Sequence, residues 1–200
     1  MRLHSFILYR GLMLAFVAAL AGLTGCGFAM LNVQSDFDRT VSFQPYRTFG
    51  FYEAGANLQL NGETPQYNTS IDEQLKAAIA SELVIKGLTP AIDEAPDLLI
   101  AYDIAIATDP ESQNNVVVPG YGYGYSYWYG YRFNYDFAGL PTYRSISEYQ
   151  VGTLVIDFIN PGLNALVWRG WADGGITVTD TDQKRLNRAV SSIMAQYPPG

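Results

Sequence analysis

Acidic side chains are the residues of this sequence whose number and spacing could support chemistry. The chain has 200 residues, with 19 Asp and Glu against 12 Lys and Arg. Two acidic pairs have Asp-x-Asp spacing, Asp36 with Asp38 and Asp180 with Asp182. A calcium loop needs further oxygen ligands and a glutamate at a fixed distance, and neither pair has them. We therefore predict that Asp36 and Asp38 lie in a turn, that Asp180 caps a helix, and that no metal is bound.

A second class of chemistry depends on histidine and cysteine, which occur once each, as His4 and Cys26. A Ser-His-Asp triad and the commonest general base both need histidine, and zinc prefers histidine and cysteine ligands. The net charge of −7 argues against a nucleic-acid partner, because phosphate binding needs clustered Lys and Arg. We predict no catalytic residue, no cofactor and no nucleic-acid partner, and we expect the protein not to be an enzyme.

Asp157 is the strongest single candidate for a functional residue, because it is a carboxylate inside an otherwise apolar stretch. It could bind a ligand or act in catalysis. Buried carboxylates are usually paired with a cation, and Arg169 falls on the neighbouring strand of a predicted hairpin. We therefore favour a structural pair of Asp157 and Arg169, on one face of the sheet and diagonal to each other. Trp168 is assigned to the core.

Aromatic residues occupy every odd position of a segment that we call the tract, residues 121–135. Glycines between them favour a flexible loop, whereas an extended chain would place the rings on one side. Tyrosine offers contact area with a polar tip, which suits proteins, glycans and membrane interfaces. We expect residues 116–145 to be dispensable for folding. The candidate contact surface comprises Tyr121, Tyr123, Tyr125, Tyr127, Trp128, Tyr129, Tyr131, Phe133 and Tyr135.

The first 26 residues have the pattern of an export signal. Arg2 and Arg10 are followed by the apolar stretch 11–21 and by Leu23-Thr24-Gly25-Cys26. A basic start, an apolar run of about 7–15 residues and small residues before a cut site are typical of such signals. An uncut membrane anchor is the alternative, but the run is shorter than the roughly 20 apolar residues of a spanning helix.

The four residues that end at Cys26 resemble a bacterial lipobox, in which the cysteine is acylated and becomes the first residue of the mature protein. The resemblance implies a signal peptide at 1–25 and a lipidated N-terminus with a short tether at 26–29. Gly27 stands where Asp would favour inner-membrane retention, which implies the outer membrane. We expect a palmitate-bearing lipoprotein that is anchored in the inner leaflet of the outer membrane and faces the periplasm. Its first partner would be membrane lipid.

Strand and helix signals alternate along the rest of the chain. Short aromatic or branched stretches bounded by turn residues predict strands at 28–38, 46–52, 97–108, 148–159 and 165–172. Ser70 and Glu73 form a capping box that opens a helix ending at Gly87, with the Asp72–Lys76 pair on its solvent side. A second helix follows Asp180. Apolar stripes at helical spacing comprise Ile71, Leu75, Ala78, Ile79 and Leu83 in the first helix, and Leu186, Val190, Ile193 and Tyr197 in the second.

The order β-β-α-β-β-β-α predicts an α+β fold, with an antiparallel sheet of about five strands and two helices packed on one face. We expect one domain over 30–199, with a Tyr/Gly-rich insertion at about 109–147. The last two strands form a hairpin across a turn that contains Pro161 and Gly162. Placing Ile159 opposite Ala165 puts Leu166 and Trp168 on one face with Leu154, Ile156 and Phe158.

Several stretches, taken in order, resemble a bacterial lipoprotein family, domain-of-unknown-function family 4136. The resemblance covers about residues 30–199 and implies a lipid-anchored envelope protein, but no reaction. It is carried by Asp36-Phe37-Asp38, Phe43-Gln44-Pro45-Tyr46-Arg47-Thr48-Phe49, Lys86-Gly87-Leu88, Pro96-Asp97-Leu98-Leu99-Ile100, Gly152-Thr153-Leu154-Val155-Ile156-Asp157, Val167-Trp168-Arg169-Gly170 and Tyr197-Pro198-Pro199.

Three functions stay open on the sequence. The first is a binding or structural module that uses the tract to contact an envelope protein or glycan. The second is a carboxylate-type enzyme acting on envelope glycans, which would need two carboxylates converging in a pocket. The third is a self-assembling component in which the tract acts as an exposed edge.

Overall fold

The computed structural model describes residues 31–52, 69–104, 136–144, 149, 152–173 and 183–199. These residues form a sheet and two helices, and no helix among them is long and apolar enough to cross a membrane. The predicted order of elements is confirmed, with one added two-residue strand. The elements are β1 (Asn32–Phe37), β2 (Thr48–Phe51), α1 (Thr69–Ile85), β3 (Thr89–Pro90), β4 (Leu98–Ile104), β5 (Leu154–Asn160), β6 (Ala165–Asp173) and α2 (Gln183–Met194).

The six strands form one mixed sheet in the order β1-β6-β5-β4-β2-β3. Neighbours are antiparallel from β1 to β4, whereas β2 is parallel to both β4 and β3. The prediction of a purely antiparallel sheet is therefore wrong. The physical reason is α1, which lies between β2 and β3 in the chain, so that the chain re-enters the sheet parallel to β2 at β3, and again at β4 after the loop 91–97.

The β5–β6 hairpin is confirmed, but its predicted register is off by one residue. Asn160, not Ile159, lies opposite Ala165, and a bulge follows at the next pairs, Ile159 with Leu166 and Phe158 with Trp168. The extra residue in β6 is Val167, and a bulge reverses the alternation of side chains beyond it. Leu166 therefore packs on the face opposite to that of Trp168, and Val167 joins Trp168.

Helix α1 begins at Thr69, one residue before the predicted capping residue. Ser70 lies inside the helix, where its hydroxyl accepts a hydrogen bond from the Gln74 amide at 3.2 Å, so the predicted capping box is not the start. The C-terminus is as predicted. Gly87 has a φ of 89°, Leu88 N–H donates to the Leu83 carbonyl at 3.0 Å, and Gly87 N–H donates to Val84 at 3.0 Å. These two bonds define a Schellman cap.

The Asp72–Lys76 pair forms, with 2.9 Å between Lys76 Nζ and Asp72 Oδ2, but the expected solvent exposure is wrong for Asp72. Its carboxylate is buried and also accepts a hydrogen bond from the Tyr102 hydroxyl. A sheet residue thus reaches the first turns of α1. The helix is fixed on the sheet by a polar contact as well as by its apolar stripe.

Both faces of the sheet are covered. The predicted stripes of α1 and α2 pack on the first face, against the even-numbered residues of β4 and β5, and this part of the prediction is confirmed. The second face carries a smaller apolar cluster, which residues 136–144 cover. That cluster comprises Ala101, Leu140, Tyr149, Val155, Ile159, Leu166 and Trp171.

The sheet has two ends that matter for function. The end where β1 begins, which we call the entry end, places Asn32 opposite Asp173 and Ile104 opposite Leu154. The other end, the turn end, carries the β5–β6 turn. Asp136 forms a bridge with Ala165 there.

Gly170 allows α2 to approach the sheet closely. A Cβ at this position would lie 2.6 Å from Cγ2 of Ile193 and 2.4 Å from Cη2 of Trp168. Both side chains are fully buried, so neither can move aside without disturbing the core.

We expect Gly170→Ala to lower the free energy of unfolding by roughly 1–3 kcal/mol, the usual cost of overpacking a core. Chemical denaturation measures this. Gly162→Ala is the matched control, because its Cβ would meet only the Asn160 side-chain oxygen in an exposed turn. Equal stability of the two variants would contradict the assigned helix–sheet contact.

Candidate functional site

A row of three charged residues crosses the second face of the sheet. Arg169 on β6 lies directly opposite Asp36 on β1 and directly opposite Asp157 on β5. All three side chains are buried. We call these residues the charged row. Asp157 and Arg169 share a face, as the sequence predicts, but they face each other across the strands instead of lying diagonally.

The Asp157–Arg169 contact is bidentate. Arg169 Nε donates to Asp157 Oδ1 at 2.7 Å, and Nη2 donates to Oδ2 at 2.8 Å. Asp157 is 0% exposed and Arg169 is 1% exposed. Two parallel bonds between a planar fork and a carboxylate fix the orientation of the guanidinium. The remaining terminal nitrogen, Nη1, therefore points in a set direction.

Residues 136–144, which we call the strap, also contact Arg169. Nη1 donates to the Arg144 carbonyl at 2.7 Å, and the Tyr143 ring lies over the guanidinium, with 4.4 Å from its centroid to Cζ. Desolvating a guanidinium is costly unless its donors are satisfied. The strap thus contributes both an acceptor and a π-face to a cation that the sheet has removed from water.

Asp36 anchors the strap at a second point. Its Oδ2 accepts hydrogen bonds from both the backbone N–H and the hydroxyl of Thr142, each at 2.7 Å, while Oδ1 accepts the Phe37 N–H at 3.0 Å. The predicted turn position of Asp36 is wrong, since it lies within β1. Sequence reasoning missed this role, because the only local signal is an acidic residue in a short strand.

The strap has further contacts at the turn end. Asp136 N–H donates to the Asn164 carbonyl at 2.8 Å, and Leu166 N–H donates to the Asp136 carbonyl at 2.7 Å. Leu140 is buried in the second apolar cluster. Gly139 lies so close to Asp38 that a Cβ would be 2.2 Å from its carboxylate oxygen. The chain path over the sheet is therefore set by glycine, one apolar anchor and the charged row.

Residues 136–144 belong to the stretch 116–145 that the composition predicts to be dispensable for folding, and they cover the second face of the sheet. The dispensability of the whole stretch stays a prediction. The aromatic residues of the tract, 121–135, lie outside the described residues, as do Cys26 and the Asp180–Asp182 pair. The contact-surface prediction stays a prediction.

The chemistry available to the charged row is limited by its own contacts. Both Asp157 oxygens accept bonds from Arg169, and both Asp36 oxygens accept bonds from N–H or O–H groups. A carboxylate whose two oxygens both accept hydrogen bonds from the protein holds the donor groups in position. Within the described ranges, no three acidic, histidine or cysteine side chains converge in a group that could hold a metal ion.

A separate carboxylate joins two of the stretches quoted above for the family resemblance. Asp97 Oδ2 accepts hydrogen bonds from the backbone N–H groups of Arg47 at 2.8 Å and Thr48 at 2.9 Å. The Thr48 hydroxyl accepts the Asp97 N–H at 3.0 Å. The bond from Arg47 N–H, followed by that from Thr48, lowers the pKa of the Asp97 carboxyl below its usual value. This exposed network sets where β2 starts beside β4.

The model of a family described as a domain of unknown function, DUF4136, matches residues 33–199. That range includes the charged row, the strap and both helices. The chain therefore belongs to the DUF4136 family. No curated protein matches it significantly.

Two solved structures have a similar fold. One is a DUF4136 family protein from Bacteroides thetaiotaomicron, 22% identical, with a TM-score of 0.51, covering 84% of this chain and 96% of its own. The other is a PDZ domain protein from Parabacteroides distasonis, 20% identical, with a TM-score of 0.52, covering 85% of this chain and 36% of its own. At these identities the similarity establishes the fold alone.

Removing one partner of the Asp157–Arg169 ion pair is expected to lower the free energy of unfolding more than replacing both partners by apolar residues. Asp157→Leu should lower the free energy of unfolding by about 3–5 kcal/mol, because it leaves a buried guanidinium without its carboxylate. The double variant Asp157→Leu/Arg169→Met should recover most of that loss. Thermal and denaturant unfolding measure both, with exposed Arg188→Gln as control. A single variant as stable as the parent would contradict the pairing.

The Asp97 network predicts a dependence of stability on pH. Because the pKa of the Asp97 carboxyl is lower in the folded state, its contribution to the free energy of unfolding is fully present above the unfolded pKa of about 3.9. It is lost as the pH falls through the lower folded value. Asp97→Asn should therefore flatten the acid side of the stability profile below about pH 4. Unfolding curves from pH 6 to pH 2 test this.

The control for that profile is Glu94→Gln, which changes an exposed acidic residue in the same loop. It should leave the difference between pH 6 and pH 2 close to that of the parent. If Asp97→Asn and Glu94→Gln gave the same profile, the hydrogen bonds to Arg47 and Thr48 would not be the cause.

Proposed function

We propose that this protein is a lipid-anchored envelope module, held by acylated Cys26 in the inner leaflet of the outer membrane and facing the periplasm. Its role is binding or structural, and the tract makes the contact with an envelope protein or glycan. The sheet and helices act as a rigid support. The anchor half of the proposal is supported by the export signal and the lipobox-like residues before Cys26.

The tether length limits where the domain can lie. Only residues 27–31 separate Cys26 from the first residue of β1, Asn32. Six residue steps span at most about 20 Å when fully extended. A domain anchored in this way stays next to the membrane surface.

The contact half of the proposal is carried by the positions of the two described residues that border the segment 105–135, which contains the tract. Ile104 precedes this segment at the entry end, and Asp136 follows it at the turn end. The two ends are separated by roughly 25 Å, the length of eight strand residues. The 31 residues between them, 105–135, could span this distance several times over. The tract therefore has chain length available for contacts beyond its own sheet.

The charged row favours a binding or structural role over carboxylate chemistry. Asp157, the strongest candidate in the sequence for an acid or a base, is bound on both oxygens by Arg169 and is 0% exposed. A general acid or base must come within hydrogen-bond distance of its substrate. The row instead connects three strands to the strap.

The anchor is tested with Cys26→Ala. We expect the variant to remain unprocessed and to lack the acyl chains that would hold the mature protein in the outer membrane, because alanine has no thiol to acylate and several chains together give firm anchoring. Mass spectrometry of the mature N-terminus and fractionation of the envelope measure both effects. An unmodified N-terminus at another residue in the parent protein would refute the anchor.

The tract is tested without disturbing the strap. Replacing the eight odd-position aromatics of 121–135 by Ser should leave the melting temperature nearly unchanged and reduce crosslinks to envelope components. The matched control changes Gly122, Gly124, Gly130 and Asn134 to Ser and keeps every ring. Unchanged crosslinks in the aromatic variant would contradict the contact role, whereas loss of folding would place the rings in the core.

A further inference from the structure

The contacts between the sheet and the strap combine backbone hydrogen bonds with side-chain sites, as do the contacts of proteins with bound peptides. One carboxylate, Asp36, accepts a backbone N–H and a hydroxyl from Thr142. One guanidinium, Arg169, donates to the backbone carbonyl of Arg144. Tyr143 covers the guanidinium, and Leu140 fills an apolar site. Backbone bonds supply affinity and side-chain sites supply specificity in peptide recognition of this kind.

The strap contributes little to the main core. Leu140 is its one fully buried residue, whereas Asp136, Phe137, Ala138, Pro141 and Thr142 are exposed. The apolar cluster beneath the strap is distinct from the larger cluster that contains both helices. Segments with few buried apolar contacts are the first to open by local fluctuation. The helical side of the fold does not depend on the strap for its contacts.

The polar groups of the receiving face are positioned by residues outside the strap. Asp157 on the neighbouring strand holds Arg169 through two bonds, and the register of β1 and β5 places a carboxylate on each side of it. A buried ion pair is a poor source of stability compared with apolar packing. Its value here is orientation, since it aims Nη1 of Arg169 at a peptide carbonyl.

We propose that the second face of the sheet is a peptide-binding face and that residues 136–144 are its resident ligand, a strap that docks and releases as a unit. The ligand class is a peptide that forms two consecutive turns, as Leu140 N–H bonded to the Phe137 carbonyl and Tyr143 N–H bonded to the Leu140 carbonyl do here. It presents a large apolar residue, then Thr two positions later and an aromatic residue directly after it. In this chain those residues are Leu140, Thr142 and Tyr143. The tract joins the strap at Asp136, so forces on the tract act first on this contact.

Hydrogen exchange of the full chain tests release as a unit. We expect the amides of 136–144 to exchange together and faster than those of β5 and β6. Thr142→Val should speed exchange in the strap about tenfold, the effect of losing one hydrogen bond to a charged acceptor, and leave β5 and β6 unchanged. Strap amides that exchange only with global unfolding, in the parent and in the variant, would overturn the proposal.

A synthetic peptide tests the binding face directly. The probe is a fluorescent nonapeptide with the sequence of residues 136–144, titrated into the full-length Thr142→Val protein. We expect saturable binding that weakens at least about tenfold when the peptide carries Val for Thr and Leu for Tyr. Asp36→Asn in the protein should weaken binding of the parent peptide more than that of the substituted peptide, because the substituted peptide keeps the backbone N–H bond to Asp36 but lacks the hydroxyl bond.

The two peptides separate recognition from adsorption. Equal binding of both peptides would show an unspecific apolar contact and would overturn the proposed recognition. Absence of binding to a protein whose strap exchanges fast would overturn the peptide-binding face. Neither result bears on Cys26 or on the tract, so the proposed function is judged by its own experiments.

Discussion

The buried ion pair between Asp157 and Arg169 is the interaction on which the second face of the sheet depends. A guanidinium that is 1% exposed must have its donors satisfied within the protein, because desolvation costs more than the pair alone returns. Asp157 satisfies two of them. A further donor, Nη1, bonds the Arg144 carbonyl of the strap. The strap thus contributes to satisfying a cation that β6 places in the interior.

The two faces of the sheet are covered through different kinds of interaction, apolar packing on one and directional polar bonds on the other. On the first face, α1 and α2 bury continuous apolar stripes, and Gly170 lets α2 approach within contact of Trp168. On the second face, one apolar residue of the strap combines with directional polar bonds to Asp36 and Arg169. Dispersed apolar burial resists local opening more than a few directional bonds do. This asymmetry is the basis for a rigid support that carries a releasable element.

Prediction from the sequence succeeded where information is local. The stripe residues of both helices are buried except the half-buried Ala78, the five predicted strands exist, and Gly87 forms the helix cap. It failed where partners are distant. The parallel pairing of β2 with β4, the bulge at Val167 and the contact of Asp36 with Thr142 each join residues through tertiary structure.

The sequence by itself determined the periodic elements, the α+β class, the resemblance to its family and the pairing of Asp157 with Arg169 across a hairpin. These follow from spacing along the chain, because helix and strand periods and short turns are local properties. The tertiary structure alone decided that Asp36 joins that pair, that Asp72 is buried beneath Tyr102, and that residues 136–144 cover the second face. Each of these requires the burial of a charge beside a partner distant in sequence. Which strand or loop supplies that partner depends on how the whole sheet is ordered.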